Sequence, residues 1–214
     1  ALMRLNWSAK DGLLADTPAK NHFSQQANSL AVWLDVIPRA QQKAVMEKVL
    51  GVKANGAADP AATPMSPASY YFRFYVARGM VHAGMGDLYV QELAPWRKML
   101  AMGLSTWAET PEPTRSDSHA WSAHPTLDLM TIVAGIAPGA PGFKSVAITP
   151  HLGPLKDVSA AMPTPHGLVQ VSYRKGQSNW TAAITLPAGI SGSLDWHGHL
   201  STLHPGAQTL TLQP

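Results

Sequence analysis

Apolar residues recur at helical spacing from the start of the chain to about Ile136, and beyond Pro138 they alternate with polar ones. Phe23, Ala27, Leu30, Ala31 and Leu34 mark one face of a helix that opens near Asn21 and ends before Pro38. A second helix over 40–50 stops at Gly51. Residues 54–64 form a loop of Gly, Ala and Pro. Ser66-Pro67 reads as an N-cap followed by proline at the first helical position, where a missing N–H costs nothing. The helix it opens carries Tyr70, Tyr71, Phe74, Tyr75 and Val81 to Gly84. Gly86-Asp87 starts another, with Tyr89, Leu93, Trp96, Met99 and Leu100, which ends at Gly103. A last helix runs from Ser118 or His119 to Gly135. Helices joined by alternating short and long connections predict hairpins of a bundle or toroid.

In the second part, residues 143–148, 158–162, 168–173, 180–186, 193–196 and 209–212 are short alternating or β-branched runs. Turns such as Pro165-His166-Gly167 and Lys175-Gly176 separate them. Short strands at this spacing predict an antiparallel β-sandwich. The connection Ala137-Pro138-Gly139-Ala140-Pro141-Gly142 marks the domain boundary, so the expected fold is α+β: a helical domain over 1–136 and a β-sandwich over 137–214.

Composition narrows the classes. The formal charge of +3, from 16 Lys and Arg against 13 Asp and Glu, is spread without a block of like charge, so no nucleic-acid or anionic-membrane footprint is present. No stretch reaches the roughly 18–20 apolar residues that span a bilayer. Without cysteine there is no disulfide, thiolate nucleophile or zinc–thiolate site. The first residues, Ala1-Leu2-Met3-Arg4-Leu5-Asn6-Trp7, show no initiator methionine, basic leader or apolar run. They are already amphipathic, which predicts an N-terminal portion preceding them. The compartment stays open.

Candidate chemistry concentrates between Gly103 and His124: Ser105, Thr106, Trp107, Glu109, Glu112, Arg115, Ser116, Asp117, His119, Trp121 and His124. Loops on a rigid scaffold accumulate functional groups. Trp107 and Glu109 place an indole, which stacks on sugar rings, beside a carboxylate able to take a proton from water. Each has a plainer reading. Glu109 suits a solvated surface carboxylate, Arg115 and Asp117 a surface ion pair, Trp121 a core position and His119 a neighbour of a cap. Asp117 or Ser118 is itself a reasonable N-cap.

Elsewhere Asp11, Asp16 and Asp35 read as caps or face residues. The stripe Tyr70, Tyr71, Phe74 and Tyr75 reads mostly as core, with room for a tyrosine at a barrel mouth to face substrate. His197-Gly198-His199 is too short to imply a metal without further ligands. No metal or cofactor is expected, and there is no phosphate loop, dinucleotide fingerprint or serine nucleophile elbow.

The segment Gly103-Leu104-Ser105-Thr106-Trp107-Ala108-Glu109-Thr110, with Arg115-Ser116-Asp117-Ser118-His119-Ala120-Trp121-Ser122-Ala123-His124-Pro125, resembles the closing section of bacterial α-L-rhamnosidases of glycoside hydrolase family 78. The likeness continues through Gly135-Ile136-Ala137-Pro138, Pro141-Gly142-Phe143 and Ile148-Thr149-Pro150-His151-Leu152-Gly153. Upstream it includes Gly12-Leu13-Leu14-Ala15-Asp16, Phe23-Ser24-Gln25 and the run from Ala68 to Tyr75. It covers nearly the whole chain and is weakest after about Gly176.

The resemblance implies a six-hairpin α/α toroid, inverting chemistry and release of terminal L-rhamnose from a rhamnose-containing glycoside or oligosaccharide. It places Glu109 at the general base and His119 at a sugar contact. Trp107, Arg115 and Trp121 are added as substrate-binding candidates for their chemistry and place in the loop. An inverting pair holds its carboxyls roughly 6.5–9.5 Å apart, and the acidic motif of the general acid is not found here. The acid is therefore expected on a missing N-terminal portion or a separate chain. The rival functions are another six-hairpin hydrolase or lyase, and a non-catalytic carbohydrate-binding unit with Trp180 and Trp196 as exposed platforms.

Overall fold

The computed structural model describes residues 1–213. A short helix, α1 (Leu2–Asn6), leads into an antiparallel ribbon of β1 (Trp7–Ser8) and β2 (Leu13–Leu14). The ribbon is clasped by α2 (Gln25–Trp33), because the fully buried Asn28 accepts from Leu14 N–H at 2.8 Å and donates to Leu14 O at 2.9 Å. A buried amide is tolerated only when satisfied in this way. Ser24 caps α2, its Oγ accepting from Ala27 N–H at 3.2 Å. The next helix, α3 (Arg39–Leu50), ends at Gly51 in the left-handed region, as its sequence implied.

Three helix expectations are corrected. The helix expected from Ser66 begins later, as α4 (Arg73–His82). Ser66 is extended, with its N–H bonded to Phe23 O at 2.9 Å and its carbonyl to Gln25 N–H at 3.1 Å, so Ser66-Pro67 is a bridge beside α2 and not a cap. Gly79 of α4 faces Ser29 of α2 so closely that a Cβ would come within 2.9 Å of Ser29 O, which makes glycine the residue that permits this helix pair.

The helix expected over 86–103 is broken into a 3-10 turn at Gly86–Leu88, α5 (Tyr89–Glu92) and α6 (Ala94–Ala101). Pro95 lacks the N–H that would continue the ladder across Leu93. The last expected helix is likewise a 3-10 turn at Ala120–Ala123, α7 (Pro125–Asp128) and a π turn at Leu129–Val133. Pro125 separates the first two pieces.

The chain divides into two compact units, Ala1–Pro125 and Thr126–Pro214. In the first, Val32, Ile37, Val45, Met46, Met80 and Tyr89 are buried. Among the described residues, no helix is long and apolar enough to cross a membrane, and no group of three or more His, Asp or Glu is placed to hold a metal ion.

The second unit has two four-stranded sheets around one core. One has the order β10 (Gly206–Leu212), β7 (Trp180–Leu186), β6 (Gly167–Lys175), β5 (Asp157–Thr164) and is antiparallel throughout. The other has the order β3 (Ile136–Pro138), β4 (Ser145–Ile148), β8 (Ser191–Trp196), β9 (His199–Leu203). Here β4 and β8 are parallel, which corrects the expectation of a wholly antiparallel sandwich. Alternation specifies which side chains face inward but carries no information about strand direction. β3 and β9 were not anticipated: the first has three residues, and Leu200 in the second is 75% exposed and so breaks the expected alternation.

Val169, Val171 and Tyr173 of β6 point inward, as do Ala182, Ile184 and Leu186 of β7. Trp180 and Trp196 are also buried, their rings 5.7 Å apart, so they are core residues and not exposed sugar platforms. His197-Gly198 is the two-residue turn between β8 and β9, both residues having positive φ, and His197 and His199 therefore have a turn's explanation.

Tyr173 is wholly buried and donates from its hydroxyl to Ala134 O at 3.0 Å. Burial holds this phenol well above the ordinary tyrosine range. A neutral acid whose folded pKa is raised stabilises the fold fully below its unfolded pKa of about 10, and that contribution is lost as pH rises beyond it. Tyr173→Phe is expected to cost about 1–2 kcal/mol at neutral pH, because Ala134 O loses its buried donor. The variant should also lose less stability than the parent between pH 9 and 11. Denaturant unfolding across that range checks both, and parallel pH curves would contradict the assignment.

Candidate active site

Residues 105–119 fold back on themselves. Glu109 N–H donates to Ser116 O at 2.9 Å and His119 N–H donates to Trp107 O at 2.8 Å, which closes the loop at its neck. Thr106 Oγ1 donates to Asp117 O at 2.6 Å, and Thr114 Oγ1 to Ser116 O at 3.0 Å, so Ser/Thr hydroxyls serve backbone that has no helix or sheet partner. On the turn that begins at Ala120 the cap position is His119, which makes no side-chain cap hydrogen bond, and not Asp117 or Ser118.

Folding the loop back brings Arg115 onto Glu109. Its Nε lies 3.0 Å from Oε2 and its Nη2 2.5 Å from Oε1, a two-point fork on both carboxylate oxygens. Arg115 thus pairs with Glu109 and not with Asp117. The two partners differ in setting: the Glu109 side chain is 11% exposed and that of Arg115 83%. Glu109 is therefore a buried, paired carboxylate and not a solvated one. The carboxylate raises the Arg115 pKa, first through the hydrogen bonds and then through charge, with a smaller contribution from Tyr71.

Tyr71 connects the loop to a row of aromatic rings. Its ring centroid lies 5.2 Å from that of His119 and 5.6 Å from that of Trp121. Trp121 in turn meets Tyr75 at 6.0 Å, and Tyr75 meets Trp33 at 5.9 Å. None of these five is buried, and Trp121 is 48% exposed, so Trp121 is not a core residue. The result is a partly exposed wall of the kind that stacks on the apolar faces of sugars. Tyr71 and Tyr75 belong to this wall, whereas helical spacing assigned their stripe mostly to the core. The reason is that Tyr71 precedes α4. The sequence signals for Tyr71 were its place in that stripe and in the run from Ala68 to Tyr75 that carries the resemblance.

Trp107 is positioned differently. It packs on a small cluster of Trp96, Met99 and Ala108, and among the described ring contacts none joins it to the wall. His124 is buried below the wall, with its Nε2 3.2 Å from Tyr70 O and its ring edge-on to Trp96 at 5.1 Å. Beside it, Glu92 pairs with Arg73 at 3.1 Å, and burial raises the Glu92 carboxyl against the opposing pull of that guanidinium. The loop therefore unites Glu109, Arg115, Tyr71, His119 and Trp121, and leaves Trp107 at its base. Each Glu109 oxygen keeps a second lone-pair direction beyond the one used by Arg115, so a water molecule can still be accepted there.

Comparison with known proteins gives these groups a context. Residues 135–198 match the family model for the bacterial alpha-L-rhamnosidase C-terminal domain. No curated protein matches the chain by sequence. Several solved structures share its fold, among them three rhamnosidases. An alpha-L-rhamnosidase from Dictyoglumus thermophilum is 16% identical with a TM-score of 0.73, the match covering 96% of this chain and 27% of that one. A family 78 rhamnosidase of Bacillus sp. GL1 is 20% identical with a TM-score of 0.67, covering 90% and 22%. An alpha-L-rhamnosidase from Streptomyces avermitilis, solved in complex with L-rhamnose, is 17% identical with a TM-score of 0.71, covering 97% and 22%. The chain thus spans about a quarter of the length of the solved structures it resembles.

Proposed function

We propose that this chain, recognisable from its family-model match and its fold as a C-terminal portion of a family 78 glycoside hydrolase, takes part in the inverting hydrolysis of terminal α-L-rhamnosides. In this reading residues 1–136 are the last hairpins of an α/α toroid that forms the catalytic domain, and 137–214 are its C-terminal β domain. Glu109 is the general base. The observation that carries the reading is a buried carboxylate, forked by Arg115, in a loop whose closing residue His119 meets Tyr71 of a partly exposed aromatic wall.

The chemistry follows from these positions. Glu109 accepts a proton from a water molecule, and the resulting nucleophile attacks the anomeric carbon on the face opposite the leaving group. Arg115 orients the carboxylate through two hydrogen bonds. Trp121 and Tyr71 supply apolar faces for the deoxy sugar, whose methyl group suits such a wall. His119, at the edge of the wall, donates to or accepts from a sugar hydroxyl. Trp107 supports the loop from below, packed on Trp96, Met99 and Ala108. The general acid comes from a part of the longer protein outside these residues, so this chain alone is half of the catalytic pair.

Inversion has a direct test. Proton NMR of the complete protein acting on an aryl α-L-rhamnoside should show β-L-rhamnose as the first sugar released, with the α anomer arising only by mutarotation. Immediate release of the α anomer would contradict the mechanism, and no hydrolysis at all would contradict the substrate class.

A further inference from the structure

Away from this loop, Asp16, His22 and Ser66 form a hydrogen-bonded line. His22 Nδ1 lies 2.6 Å from Asp16 Oδ2, and His22 Nε2 lies 3.0 Å from Ser66 Oγ. With the ring proton on Nδ1 and donated to the carboxylate, Nε2 is left to accept from the serine hydroxyl. This is the arrangement of nucleophile, base and orienting acid that activates a serine, and it is recognised by geometry and not by order in the chain.

The line is held by backbone. Asp16 N–H donates to His22 O at 3.0 Å, Ser66 N–H to Phe23 O at 2.9 Å and Gln25 N–H to Ser66 O at 3.1 Å, so the three bearers sit on neighbouring extended segments. Asp16 is fixed at its other oxygen too, where Ser24 Oγ donates at 2.6 Å. His22 has a side chain 61% exposed, which leaves the line open to a ligand from solvent.

We propose that Ser66 is a nucleophile activated by His22 and oriented through Asp16, and that it accepts short acyl groups from activated esters. Ser66 Oγ bonds to the acyl carbon while its proton passes to His22 Nε2. The ester C–O bond breaks, and the leaving alcohol takes that proton. Water then attacks the acyl-serine, giving a proton to His22, and the acid departs as Ser66 Oγ regains it. The nearest backbone donors are committed: Ser66 N–H to Phe23 O, and Ala68 N–H to Gln25 Oε1 at 2.8 Å, while Pro67 has none. A developing oxyanion is therefore met by water, and a missing oxyanion donor costs about 10²–10³ in rate. That restricts the site to esters with good leaving groups and to reagents of matching reactivity.

A fluorophosphonate probe tests this on the whole chain, because the same attack forms a Ser66 Oγ–P bond, breaks P–F and releases fluoride. Peptide mapping should find the adduct on Ser66 ahead of every other hydroxyl. His22→Gln and Asp16→Asn, with folding checked by circular dichroism, should each slow that labelling at least about tenfold. The absence of an adduct on Ser66, labelling spread evenly over serines and threonines, or an unchanged rate in His22→Gln would each overturn the proposal. The wild-type adduct map decides the question even if a variant fails to fold. Since Glu109 takes no part, Glu109→Gln should label like the parent.

Discussion

In the complete protein, Glu109→Gln is expected to lower kcat on an aryl α-L-rhamnoside by about 10²–10⁴-fold, the range for removing a positioned general base, while KM changes little. Glutamine keeps the size of the side chain but cannot take a proton from water. It also offers Arg115 only one acceptor oxygen in place of the two now forked. Arg115→Lys separates orientation from charge: a lysine keeps the positive charge and loses the fork, so it should reduce kcat less than Glu109→Gln. Turnover of Glu109→Gln within a few-fold of the parent would remove Glu109 from the mechanism. A rise confined to KM would make it a sugar contact instead.

Gly135→Ala is expected to cost roughly 2–5 kcal/mol of the stability of the β unit. Gly135 has φ +76°, and a Cβ there would stand 2.3 Å from the Thr149 carbonyl carbon and 2.4 Å from Pro150 N. Both are backbone atoms, held by the Thr149 N–H bond to Gly135 O at 2.9 Å, so no rotamer change relieves the clash. A left-handed conformation costs a residue with Cβ about 1–2 kcal/mol, and overpacking adds about 1–3. Gly142 provides the control. Its φ is +69°, but nothing lies within 4 Å of an added Cβ, so Gly142→Ala should show the conformational part alone. Denaturant unfolding of the two variants measures the difference, and equal losses would contradict the steric argument.

Much of the architecture was legible along the chain. The switch from helical to alternating spacing separates helical from β segments, and the inward sets of β6 and β7 follow directly from period-two alternation. Gly51 and Gly103 end helical segments where their placement indicated. Ser66-Pro67 and Ser118 carry valid local signals, but long-range hydrogen bonds claimed the Ser66 backbone for an extended segment. Prolines at 95 and 125 were visible, but the apolar spacing around them continued and concealed the breaks.

By itself, then, the sequence determined the two classes of secondary structure, their approximate limits and the loop in which the candidate carboxylate lies, because these depend on side-chain spacing and local backbone preference. The order of residues from Glu109 to His119 also carried the family resemblance. Only the tertiary structure decided that Arg115 forks Glu109 in place of meeting Asp117, that Tyr71 joins His119 and Trp121 in one wall, and that β4 runs parallel to β8. Such pairings depend on where separated segments meet and on which buried polar groups must find partners there, and spacing along the chain does not encode either.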